Sequence, residues 1–194
     1  EDDLQRLLRS YPELVPAADF GLPEGLLIVG RETPVATGAI DLVALARSGD
    51  ALVIELKTGP TNPDFRAALA QLIDYGAQVW QQSYDDFERQ AVTFFRGPQC
   101  TDAKSKSAPS LEAAARAAWS LSDEEAEAFK DRLARQLAEG DLHFVVVAQR
   151  IPDTFVRNVE YLNRMSAGPR YYAVELKAFA HKDSAVSAYL PITK

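Results

Sequence analysis

Two short segments, residues 39–46 (AIDLVALA) and 51–57 (ALVIELK), are apolar at nearly every position. A strand with one face in water alternates apolar and polar side chains, whereas one covered on both faces carries a near-continuous apolar run. These two segments therefore belong at the centre of a sheet with a layer on each side. A third run, 26–35, precedes them, and Thr37-Gly38 and Ser48-Gly49-Asp50 are turn signals between the three. The sequence thus predicts a three-stranded meander over 26–57.

Helical texture surrounds this core. Leu4, Leu7, Leu8 and Tyr11 stand at helical spacing before Tyr11-Pro12 breaks the pattern. Beyond Gly59-Pro60, Ala67, Ala68, Leu72, Tyr75 and Val79 form the buried stripe of a helix over 63–82. Further helices are expected at 84–95, 111–119 and 123–139, the last opened by Ser122 with Glu125 three residues on and stopped by Gly140. The stretch 97–110, rich in Ser, Pro and Gly, reads as a surface loop and the least ordered part of the chain. A buried strand (142–151), a helix (153–166) and an outer strand (171–180) close the pattern. The expected fold class is α/β: one domain over 1–194, with a central mixed sheet flanked by helices.

Composition narrows the chemistry. No run of eighteen apolar residues and no leader with a cleavage site is present, which predicts neither a membrane span nor a signal peptide. The chain opens at Glu1, not methionine, and is compatible with a piece of a longer polypeptide. One cysteine, Cys100, and two histidines, His143 and His181, leave no zinc cluster and no internal disulfide, which suits a reducing, cytoplasmic setting. The net charge of −7 argues against bulk electrostatic capture of nucleic acid. Its distribution is uneven: residues 1–95 carry fifteen acids and seven bases, and 142–194 carry four acids and seven bases. Candidate phosphate contacts are therefore Arg150, in the late basic part, and Lys104 and Lys106 in the 97–110 loop.

Asp41, Glu55 and Lys57 lie inside the two most apolar runs. Burying an unpaired charge costs several kcal/mol or more, so such groups are normally paired, hydrogen-bonded or bound to a metal. Glu55 and Lys57, two apart, share one strand face. Asp41 joins them if it stands opposite an odd-numbered residue, which a three-residue loop at Ser48-Gly49-Asp50 would arrange. Two converging carboxylates make a hard oxygen site for Mg²⁺ or Mn²⁺, and a neighbouring ammonium suits attack of water on a phosphodiester. Gln71 and Tyr75, at i and i+4 on the following helix, reach toward the same sheet edge. The bland alternatives are a salt-bridged strand end for Glu55 and Lys57, a turn or cap for Asp41, and a polar helix edge for Gln71 and Tyr75.

The order Asp41, Glu55-Leu56-Lys57, Gln71-x-x-x-Tyr75 resembles the D…ExK…QxxxY pattern of the PD-(D/E)XK nuclease superfamily. The resemblance covers roughly the first eighty residues, and Ile40 stands where many members have proline. It implies a restriction-endonuclease-like core and an Mg²⁺- or Mn²⁺-dependent nuclease acting on DNA, in repair or in defence against foreign DNA. It also implies metal binding by Asp41, Glu55 and Glu1 in the first helix, with Asp2 or Asp3 as substitutes for Glu1, Lys57 assisting the water and Gln71 positioning water or DNA. A homodimer is compatible with it. The alternative is a nuclease-fold module without catalysis that binds nucleic acid or serves assembly. A second triplet, Glu175-Leu176-Lys177, lacks a preceding strand carboxylate and a following glutamine helix, and reads as a structural outer strand.

Overall fold

The computed structural model describes residues 2–36, 38–58, 64–180 and 187–194. Helix α1 (Asp2–Ser10) leads through two short 3-10 turns to strands β1 (Leu26–Val35), β2 (Gly38–Ala46) and β3 (Ala51–Lys57). Helices α2 (Phe65–Val79), α3 (Tyr84–Arg96), α4 (Leu111–Trp119) and α5 (Asp123–Glu139) follow, then β4 (His143–Ala148), α6 (Asp153–Met165), β5 (Arg170–Ala180) and β6 (Ser187–Thr193). The six strands form one mixed sheet in sequence order. β1, β2 and β3 pair antiparallel, β3, β4 and β5 pair parallel, and β6 returns antiparallel on β5. The fold is α/β, a mixed sheet with helices on both sides.

The continuous apolar runs have a direct cause. Val43, Leu45, Val53 and Val146 face a core completed by α2 to α6. Leu42, Ala44, Leu52, Ile54, Val145 and Val147 face a second core, closed by Leu4 and Leu8 of α1 with Val15 and Phe20. Each fully buried Val or Leu contributes about 1.5–3 kcal/mol, so both layers drive the assembly.

The β2–β3 hairpin fixes the register on which the site depends. Gly49 N–H donates to Ala46 O, and Ala46 N–H to Asp50 O, each at 2.9 Å, so the three-residue loop is 47–49, one residue earlier than the sequence suggests. Gly49 has φ +91, and a Cβ there would lie 2.3 Å from the Phe129 carbonyl oxygen, so this position needs glycine twice over. Asp50 is consequently a buried residue that closes the loop just before β3, not one of the three loop residues. Its Oδ1 takes Arg132 Nε and Nη2 at 2.8 and 2.6 Å, and Ser48 Oγ donates to its Oδ2 at 2.5 Å. His143 Nε2 lies 3.6 Å from the same carboxylate, which gives this buried histidine a structural setting; His181 is outside the described residues.

Two expectations need correcting. Segment 97–110 is anchored rather than loose: Cys100, Ser105 and Ala108 are buried, and Asp102 Oδ2 takes Ser105 Oγ at 2.7 Å. Its polar residues satisfy the loop's own backbone, which composition alone does not reveal. Nor is β5 the outer strand, because β6 lies beyond it. Pro191 interrupts the strand pattern of 187–193, and proline is tolerated in a sheet chiefly on an edge, which is where β6 runs.

Candidate active site

The ladder between β2 and β3 runs from Leu45↔Ala51 to Leu42↔Ile54 and then ends. Asp41 and Glu55 are the next residues along the two strands, and no ladder bond joins them. At this point Asp41 replaces the missing backbone partner, its Oδ2 accepting Leu56 N–H at 2.8 Å. Asp41 Oδ1 accepts from Gln5 Nε2 at 2.7 Å, and Gln5 Oε1 accepts from Arg31 Nε at 2.9 Å. Gln5 is buried on α1, beside the Leu4 and Leu8 that cover the second core. Asp41 is thus held at the end of the ladder by both a helix and a strand amide.

Glu55 is 2% exposed and pairs through β3 with Val146 of β4. Lys57, one period along the strand, folds back so that Nζ lies 2.6 Å from Glu55 Oε1 and 2.8 Å from Gln71 Oε1. Gln71 Nε2 points on to the Tyr75 hydroxyl at 3.4 Å. Glu55, Lys57, Gln71 and Tyr75 therefore form one chain across the β3–α2 contact, made possible because α2 presents residues 71 and 75 one turn apart. The Tyr75 hydroxyl is pushed up to about 12 by burial first and then by the negative charges of Glu55 and Asp41, while Gln71 acts the other way. Both carboxylates thus act on one buried hydroxyl. At neutral pH it keeps its proton and can donate.

The remaining sequence candidates are more dispersed. Arg150 is exposed two residues beyond Ala148, the residue paired with Lys57, so it stands at the same end of the sheet. Lys104 and Lys106 lie on the anchored loop, where Lys106 Nζ donates to the Gly97 carbonyl at 2.5 Å and Lys104 N–H to Asp102 at 3.2 Å. Neither contact leads toward Glu55. Glu1 lies outside the described residues.

Gln5 and Arg31 are the neighbours of the candidate site that sequence reasoning passed over. The available signal was a glutamine on the Leu4 and Leu8 stripe of a very short helix, where a polar residue needs a buried partner. Glu175, in the second triplet, stands on the same rung as Lys57 through Ala148. Its Oε2 accepts Ile151 N–H at 3.1 Å, and Lys177 and Lys194 each lie 3.5 Å from its carboxylate. Burial alone would raise its pKa, but the Ile151 amide and the two lysines outweigh it and hold the carboxyl below its usual range. It ties the β4–α6 loop to β5.

Among the described residues, no group of three or more His, Cys, Asp or Glu side chains is gathered to hold a metal, and no helix is long and apolar enough to cross a membrane. Comparison with known proteins gives no match to any family model, curated protein or solved structure.

Proposed function

We propose that this chain is a metal-dependent nuclease of the PD-(D/E)XK type that hydrolyses phosphodiester bonds in DNA, with Mg²⁺ or Mn²⁺ held by Asp41 and Glu55. The observation that supports the reading is that Asp41 takes the amide of Leu56, the residue next to Glu55, at 2.8 Å, while the Lys57 ammonium lies 2.6 Å from Glu55. Two carboxylates are a sufficient protein contribution for Mg²⁺, which keeps several waters and takes phosphate oxygens as further ligands. Glu1, four residues before Gln5 in the sequence, is the candidate for a third. When bound, the ion would supply Lewis-acid polarisation of the phosphate and a water of lowered pKa.

The protein's own groups have separable roles. Lys57, between Glu55 and Gln71, places a positive charge where the phosphate gains negative charge on attack. Gln71 orients that ammonium and offers an amide to water or to the backbone of the nucleic acid. Tyr75, kept protonated, donates a hydrogen bond without adding charge. Asp41 and Glu55 are fixed before any ligand arrives, so little reorganisation opposes binding. Arg150, on the same end of the sheet, is the candidate contact to a flanking phosphate. A cytoplasmic, homodimeric enzyme of repair or of defence against foreign DNA is the setting the resemblance implies.

One observation favours a second reading. The closed chain Lys57–Glu55–Gln71 is also what a purely structural ion pair would look like, and a nuclease-fold module that binds nucleic acid without cutting would keep it. The test incubates plasmid and single-stranded DNA with Mg²⁺ or Mn²⁺, using the parent, Glu55→Ala and Lys57→Ala. Cutting by the parent alone is expected. Binding without cutting in the parent favours the inactive module, and cutting that persists in both variants removes this site from the mechanism.

A further inference from the structure

A cavity of about 390 Å³ opens on the same side of the sheet as Glu55, between the outer end of the β1–β2 hairpin and helix α3. Its volume is at the small end of ligand pockets, about 300–1,000 Å³. Val29, Val43, Val79, Phe87 and Phe94 make its walls apolar and partly aromatic. Gln82, Gln90, Gln99, Thr33 and Thr93 add amides and hydroxyls. Arg31 is the one charged residue lining it among the described residues, and no carboxylate lines it.

This lining discriminates between ligand classes. A cation finds no countercharge. An anion finds a single guanidinium whose Nε already donates to Gln5. An aliphatic chain would fit the walls but would leave the amides facing hydrocarbon. Gln82 and Gln90 in particular bring amides to the lining, and an amide covered by a ligand without a hydrogen-bond partner is costly. A flat, uncharged heteroaromatic ring with N–H donors on its edge satisfies both parts of the lining, by contact with Phe87 and Phe94 and by hydrogen bonds to the amides.

The cavity also adjoins the candidate site. Arg31 lines the one and reaches Asp41 of the other through Gln5. Val79 lines the cavity one helical turn, about 6 Å, beyond Tyr75. Ile40, also in the lining, is the residue before Asp41. We propose that this cavity is a subsite for a single unstacked nucleobase belonging to the strand whose phosphate lies at Asp41 and Glu55, a proposal that rests on the nuclease reading of that site. A stacked duplex cannot deliver a base there, so the substrate class is single-stranded or locally opened nucleic acid.

The test uses single-stranded oligonucleotides in which 2-aminopurine, an adenine analogue that brightens on unstacking, replaces one base at successive positions. With Ca²⁺ in place of Mg²⁺, one position is expected to brighten at least two-fold when the parent protein saturates the oligonucleotide. Thr33→Trp, which fills the cavity, and Gln90→Leu, which removes a lining amide with little change in bulk, should each lose most of that rise. Saturation with no bright position, a rise that survives both substitutions, or no binding at all overturns the proposal. Cutting of the same oligonucleotides in Mn²⁺ is scored separately. Brightening without cutting keeps the subsite and removes the hydrolytic reading, and cutting without brightening does the reverse.

Discussion

The carboxylate of Asp41 takes the amide hydrogen of Leu56 at 2.8 Å, just past the point where the β2–β3 ladder ends at Leu42↔Ile54. A side chain thus stands in for a strand, and the group that completes the β3 backbone is also the group proposed to bind metal. Structure and chemistry draw on the same two oxygens, and substitutions can separate them.

Asp41→Asn keeps one acceptor, for Leu56, but sets its NH2 against that of Gln5 and removes the charge, so it should cost about 1 kcal/mol while lowering DNA cutting by about a hundredfold or more. Asp41→Ala strands the Leu56 amide and the Gln5 side chain and should cost about 1–3 kcal/mol as well as the activity. Urea denaturation and a plasmid-nicking assay on both variants check the pair. Equal stability loss in the two would show that charge, not hydrogen bonding, holds this strand end.

Lys57→Met leaves Glu55, 2% exposed, without its ammonium, and breaking a buried pair from one side costs about 3–5 kcal/mol. Adding Glu55→Gln to it should restore most of that stability, because two neutral groups replace an uncompensated charge. Activity should not return in the double variant. A double-mutant cycle by chemical denaturation measures the coupling, and additive losses would contradict the pairing.

Mn²⁺ should stabilise the parent against heat. A ligand at a hundred times its dissociation constant adds about 2.7 kcal/mol, which for a chain of this size raises Tm by about 5–10 °C. Glu55→Gln should show a small fraction of that shift. Differential scanning fluorimetry with and without Mn²⁺ is sufficient, and an equal rise in both proteins would place the ion elsewhere.

How much of this was legible follows from which interactions are local. The strands at 26–35 and 51–57 were readable because apolar texture and turn residues are encoded within a few positions. Asp41, Glu55 and Lys57 stood out because charge inside such texture requires a partner, and Gln71 and Tyr75 because helical spacing is local. Gln5 on the Leu4 and Leu8 stripe signals that it needs a buried partner but not which one: its bonds to Asp41 and Arg31 span 36 and 26 residues. The loop boundary at 47–49 was missed by one residue because Asp50, by type a turn former, is held beside the start of β3 by Arg132, 82 positions away. β6 was missed because a proline inside an apolar run argues against a strand unless the edge of the sheet is already known.

Asp50 also predicts how the fold responds to acid. Burial would raise its pKa, but His143, Ser48 and Arg132 together outweigh that and hold the carboxyl well below its ordinary value near 3.8. A depressed folded-state pKa contributes stability that is present above the unfolded value and lost as pH falls through the range between the two. Stability should therefore be level near neutrality and drop below about pH 4. Asp50→Asn should be less stable at pH 7 and should flatten the acid limb, as followed by urea midpoints from pH 7 to 3. An unchanged acid limb in Asp50→Asn would assign the loss to other carboxylates.

Gln5 tests whether the site is assembled by its surroundings. It touches no proposed ligand position except through Asp41, which it holds at 2.7 Å while Arg31 holds it in turn at 2.9 Å. Removing the partner that orients a metal-binding side chain typically weakens the metal about 10–100-fold. Gln5→Leu should accordingly raise the Mn²⁺ concentration for half-maximal cutting by about that factor while leaving the rate at saturating Mn²⁺ within a few-fold of the parent. Gln5→Glu keeps a partner for Arg31 but sets a negative charge against Asp41, so its metal requirement should differ from that of the leucine variant although both lose the amide donor. A purely structural role would instead lower the amount of folded enzyme in each variant and leave the metal midpoint where it was. The metal midpoint, read alongside the folded fraction from circular dichroism, decides between these roles.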